Sequence, residues 1–146
     1  LKRTVFCREQ PFTMEQFRTF MYEQSVAYPE MIDLVKALKA RHGLRIAVVN
    51  NEGRELNEHR ISTFGLGEFV DFFISSCFVH FRKPDADIWK VALDIAQIPK
   101  EEVVYIDDRA MFVQVAEGLG IRGIVHDHKN VGQTKDALAA MGLTAD

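Results

Sequence analysis

A chain of 146 residues, 47% hydrophobic and 27% charged, can bury the core of one domain and has the composition of an ordinary soluble globular protein. A net charge of −3 and an isoelectric point near 6.0 give no electrostatic footprint for nucleic acid or an acidic membrane surface. No apolar run approaches a membrane span and no signal-peptide layout opens the chain, while Cys7 and Cys77 stand apart as free thiols would in a reducing cytoplasm.

Residues 1 to 11 read ambiguously, with a short strand conceivable at Thr4 to Cys7. Thr13 and Gln16 have capping-box spacing and introduce Met14, Phe17, Phe20 and Met21 at helical intervals, so a helix is predicted to about Gln24. A second helix starts near Pro29, carries Met31, Ile32, Leu34, Val35 and Leu38 on one side, and stops at Gly43. From there the pattern alternates. Strand is predicted at Leu44 to Val49, helix from about Arg54 to Phe64, strand at Val70 to Ser75, and a loop through His80 and Lys83. A helix around Ile88 to Ile95, a strand at Val103 to Ile106, another helix, a strand at Ile121 to Val125 and a last helix from Val131 complete the chain. Strands alternating with helices of this length imply a Rossmann-like three-layer α/β/α fold with a mostly parallel sheet.

Three strand ends carry the residues with chemistry: Asn50, Asn51 and Glu52 after the first, Lys83 after the second, and Asp107 with Asp108 after the third. A parallel sheet places the carboxyl ends of its strands along one edge, so these residues can converge. One aspartate would serve as a helix cap; two adjacent ones repel and call for a hard cation such as Mg²⁺. Lys83 would balance phosphate charge, and Asn50 and Asn51 would donate hydrogen bonds to phosphate oxygens. Glu52 is a candidate contact on the substrate side. His42 and His59 read as surface helix residues, and His126 and His128 lack the further ligands of a metal site.

The segments Ile46 to Gly53, Arg82 to Asp85 and Val103 to Asp108 resemble motifs II, III and IV of the haloacid dehalogenase superfamily, and in particular its phosphatases whose cap is inserted after the first strand. That resemblance implies residues 28–146 as the α/β core and residues 1–27 as the remnant of a helical cap. It also implies an Mg²⁺-dependent hydrolase of a small phosphorylated metabolite acting through an aspartyl-phosphate, with Lys83, Asn50 and Asp107 catalytic and Asp107 and Asp108 on the metal. Two departures stand out. Asn50 occupies a position that is usually Ser or Thr, although an amide also donates. The family's nucleophile belongs to an Asp-x-Asp on a strand before the cap; here the pattern occurs only as Asp85-Ala86-Asp87, better explained as a helix start.

The chain, beginning at Leu1, therefore reads as truncated before that strand. In the family this strand lies between the motif II and motif IV strands. Its place could be closed by direct pairing of those two, by Thr4 to Cys7, or by a strand from a second copy of the chain, which makes a homo-oligomer one expectation. Two further readings compete with the phosphatase: a non-catalytic protein binding phosphate and Mg²⁺, favoured by the missing Asp-x-Asp, and a 2-haloacid dehalogenase, which needs no Mg²⁺ and so gives the acidic pair less to do. A response-regulator receiver domain is disfavoured by order, since its acidic pair ends the first strand.

Overall fold

The computed structural model describes residues 9–145. The strand considered at Thr4 to Cys7 lies outside the described residues. Helix α1 (Met14–Glu23) opens on the predicted capping box: Gln16 N–H donates to Thr13 Oγ1 at 3.1 Å and Thr13 N–H donates to Gln16 Oε1 at 2.8 Å. Helix α2 (Pro29–His42) begins on its proline and ends at Gly43, whose φ of +63° suits the left-handed terminating position. Then follow β1 (Ala47–Asn50), α3 (Arg54–Thr63), β2 (Phe72–Ser75), α4 (Ser76–Val79), α5 (Asp87–Ala96), β3 (Val104–Asp107), α6 (Ala110–Gly118), β4 (Arg122–Val125) and α7 (Val131–Ala140). The alternation is the one the sequence pattern predicts, with one addition. The start of the loop expected after β2 is instead the single helical turn α4.

All strand pairing among the described residues is parallel, but it forms two separate pairs. Strand β1 runs beside β2 in the register Ala47 to Phe72 through Asn50 to Ser75, and β3 beside β4 from Val104–Arg122 to Asp107–Val125. No ladder joins β1 to β3, so direct closure of the central position does not occur. Side chains connect the pairs instead. Helix α5 packs on β1 and β2, and its Trp89 meets Tyr105 of β3 edge-on, with ring centroids 5.6 Å apart.

The core has two parts. One gathers Ile74 of β2, Ile88 and Trp89 of α5, Tyr105 of β3, and Phe112, Val113 and Ala116 of α6. The other gathers Leu34 and Leu38 of α2, Ile124 of β4, and Val131 and Leu138 of α7, with Val104 and Ile106 packed against it. Tyr105 thus faces one cluster and its neighbours the other, as the period of two in a strand demands. This covers β3 on both faces, the arrangement its apolar run predicts. Helix α6 lies so close to β4 that a Cβ at Gly123 would run into Val113 Cγ1 and Glu117 Cγ.

Helix α1 rests on α3, where Tyr22 stacks on His59 (centroids 3.9 Å) and Arg18 Nε donates to Glu55 Oε2 at 2.7 Å. Among the described residues no helix is long and apolar enough to cross a membrane.

Candidate active site

Lys83 is the residue on which the strand ends meet. It follows α4 in the chain, yet its backbone is tied to the residue after β1 and its ammonium to the last residue of β3. Lys83 N–H donates to Asn51 Oδ1 at 2.8 Å, and Asn51 Nδ2 donates to Lys83 O at 2.8 Å. Lys83 Nζ donates to Asp107 Oδ2 at 2.6 Å and to Tyr105 Oη at 3.1 Å. It lies 4.9 Å from the centre of the Phe112 ring. The residue is 7% exposed, so this ion pair is sheltered rather than superficial.

Asp107 is held on all sides. Its Oδ2 also accepts from Tyr105 Oη at 2.5 Å, and its Oδ1 accepts from the Arg109 N–H at 2.9 Å. Burial is the largest influence on this carboxyl and pushes its pKa up. The hydrogen bonds from Lys83, Tyr105 and Arg109 together with the Lys83 charge outweigh burial and hold it below its ordinary value of 3.8. A depressed carboxyl contributes stability that is present above its unfolded pKa and lost as pH falls through the folded one. Acid titrations followed by circular dichroism should therefore show the wild type losing stability below about pH 4. Asp107→Asn should lose less over the same range; equal slopes would refute the role assigned to this carboxyl. Burial, then the bond to Asp107, raises Tyr105 above its ordinary value of 10.0.

Other polar residues singled out in the sequence have partners within the fold. Asn50 Nδ2 donates to Asn57 Oδ1 at 2.9 Å, Asn57 Nδ2 donates to Ser75 Oγ at 3.0 Å, and both of these partners are buried. Asn50 Oδ1 is buried with no partner among the described residues. Asn50 thus braces the ends of β1 and β2 against α3, and Asn51 is committed to Lys83. The Glu52 carboxylate pairs with Arg60, and its backbone N–H donates to Ser76 Oγ at 3.0 Å. Asn51, Glu52, Ser76, His80 and Arg82 contribute to the lining of a cavity of about 450 Å³ beside the strand ends. Asp85 Oδ1 accepts from the Asp87 N–H at 3.1 Å and Asp87 pairs with Lys90, which is the behaviour of a helix start.

Tyr105, Asn57 and Ser75 were not legible as site residues from sequence. Tyr105 had a signal: two positions before Asp107 on a strand, it shares that residue's face. Asp108 is exposed at the same strand end. Two hard carboxylates are the donor set that Mg²⁺ takes when water and phosphate complete its shell, so the residues present fit that ion. Among the described residues no group of three or more His, Cys, Asp or Glu is placed to hold a metal.

The chain has relatives among known proteins. Residues 4–120 match the family model described as haloacid dehalogenase-like hydrolase. The chain belongs to the haloacid dehalogenase-like hydrolase family. It is 31% identical over 115 residues to protein CbbY of Cereibacter sphaeroides, covering 76% of this chain and 50% of that protein. It is 26% identical over 103 residues to (S)-2-haloacid dehalogenase 1 of Pseudomonas sp. strain CBS-3, covering 70% of this chain and 45% of that protein. A haloacid dehalogenase family enzyme of Bacteroides thetaiotaomicron, solved in complex with magnesium and inorganic phosphate, shares the fold with a TM-score of 0.70 at 21% identity over 82% of this chain and 63% of that one. The chain spans about half the length of each of these two curated relatives.

Proposed function

We propose that this chain contributes the phosphate and metal side of an Mg²⁺-dependent phosphatase acting on a small phosphorylated metabolite. The observation that carries the reading is the sheltered Lys83–Asp107 pair, with exposed Asp108 beside it at the same strand end. A buried ammonium costs free energy that a surface pair would not, and a site for a phosphate ester gives that cost a use.

Lys83 Nζ supplies a fixed positive charge for phosphate oxygens. Tyr105 Oη and Asp107 Oδ2 keep it from swinging away. Asp107 Oδ1 and the Asp108 carboxylate are the oxygens available to Mg²⁺. When bound, the ion would offset the negative charge of phosphate and carboxylates together. In the family the nucleophilic aspartate belongs to a separate Asp-x-Asp strand, whereas Asp85 and Asp87 here are engaged as a helix start. Turnover by these residues alone is therefore not expected. The acidic pair favours the phosphatase over a dehalogenase, which has no metal for it to hold.

The test is binding and turnover on one sample. Inorganic phosphate should bind this chain, more tightly with Mg²⁺ than with a chelator, and Lys83→Gln should abolish the binding. Hydrolysis of an aryl phosphate should be absent, or, if present, should require Mg²⁺ and vanish in Asp107→Asn. A chain that binds neither phosphate nor Mg²⁺ refutes the proposal.

A further inference from the structure

The sequence suggests Asn51 as a hydrogen-bond donor to phosphate, but its geometry points elsewhere. Both ends of its carboxamide engage one residue, the oxygen accepting from Lys83 N–H and the nitrogen donating to Lys83 O, each at 2.8 Å. Such a double bond between a side-chain amide and a single residue's backbone reproduces the exchange that a neighbouring strand makes in a ladder. It fixes the position and the direction of the Lys83 backbone together. Asn51 is an exposed residue, so water competes for each bond separately, but a planar amide making both loses orientation only if both break.

What is fixed here matters because of what lies at the other end of Lys83. The lysine stem is long and has many rotamers, whereas its ammonium is confined between Asp107 Oδ2, Tyr105 Oη and the Phe112 ring. The ammonium stays there only if the stem starts from the right place. Lys83 belongs to a connection rather than to a strand or helix, so no ladder sets that starting point. We propose that Asn51 is a positioning residue: it holds the backbone of Lys83 at the end of β1 so that the ammonium reaches Asp107 at the end of β3.

The side-chain chemistry is selective. Aspartate would keep the bond from Lys83 N–H but set a carboxylate oxygen against Lys83 O. Serine offers one short reach in place of two, and glutamine moves the amide outward by a methylene. The consequence for phosphate rests on the proposed function; the clamp itself does not.

The experiment reads Lys83 directly. The intact chain is treated with a limiting amine-acylating reagent under native conditions, and modification of Lys83 is compared by mass spectrometry with that of exposed Lys90 in the same sample. Asn51→Ala should raise the Lys83-to-Lys90 ratio about tenfold, the scale of losing two partly exposed hydrogen bonds, and Asn51→Asp should fall between it and wild type. Leu34→Ala, in the other core cluster, controls for general loss of stability and should leave the ratio unchanged. An unchanged ratio in Asn51→Ala, or an equal rise in both variants, overturns the proposal. Inorganic phosphate titrations separate the two readings. Asn51→Ala that binds phosphate more weakly with unaltered Lys83 labelling would make Asn51 a direct ligand and sink the clamp. A rise in labelling in a chain whose wild type binds no phosphate keeps the clamp and sinks the phosphate site.

Discussion

Lys83→Met should destabilise the chain by about 3–5 kcal/mol, because it strands a sheltered carboxylate without its cation. The side chains of Lys83 and Asp107 are 9% and 8% exposed, so water cannot readily replace the lost partner. Tyr105 Oη and the Arg109 N–H still reach Asp107, but neither carries charge. Asp107→Asn should be costly for the complementary reason, since it leaves the ammonium facing a neutral amide. The double variant should be far less damaged than the sum of the two, because no uncompensated charge is left. Urea unfolding of the four proteins measures this coupling. Additive losses would mean that the pair is incidental to stability, and would remove the physical basis for a charged centre at this strand end. Phosphate binding, by contrast, should be lost in Lys83→Met and should not return in the double variant.

Trp89→Ala should cost a similar amount, about 3–5 kcal/mol, through a different mechanism. Trp89 is 1% exposed and is among the largest fully buried side chains. It stands on α5, the helix that packs on β1 and β2, and it meets the ring of Tyr105 on β3 at an interplanar angle of 82°. Truncation removes apolar burial and opens a cavity at the place where the two strand pairs touch. Trp89→Phe keeps an aromatic edge there and should lose much less. Thermal unfolding followed by circular dichroism distinguishes the two. A small loss in Trp89→Ala would show that the pairs are held together elsewhere.

The alternation of strands and helices was legible because its signals are local: Thr13 with Gln16, Pro29, Gly43, and apolar runs between charged turns. The strand boundaries were less so. Leu44 to Ile46 read as strand, but β1 begins at Ala47, and Leu44 packs with the cluster around α2 and α7. Val70 and Asp71 likewise precede β2. Asp71 is turned to secure the approach, its carboxylate accepting from the Ile46 N–H at 2.7 Å and from Lys39 Nζ at 2.7 Å. An apolar run identifies residues that want burial, not those whose neighbours complete a ladder.

At the site, the meeting of Asn51, Lys83 and Asp107 followed from strand order alone, since a parallel sheet gathers its carboxyl ends. The direction in which each polar side chain points did not. Asn50 and Asn51 were suited to donate to an anion by residue type, and in the fold one braces Asn57 while the other grips Lys83. An amide's partner is decided by what tertiary packing brings within about 3 Å, which neither spacing nor propensity encodes. By its ring Tyr105 reads as one more apolar residue of the strand, whereas its hydroxyl bonds to Asp107 and Lys83.

The division of the sheet also has a mechanical meaning. Among the described residues no backbone ladder crosses between the β1–β2 half and the β3–β4 half; what joins them is side chains, the cluster around Ile74, Trp89, Tyr105 and Phe112 and the Asn51–Lys83–Asp107 chain. The second of these links is also where a ligand would settle. An anion or cation engaging Lys83 and Asp107 would then act as a rivet across the seam, adding a link where the end of β1 meets the end of β3.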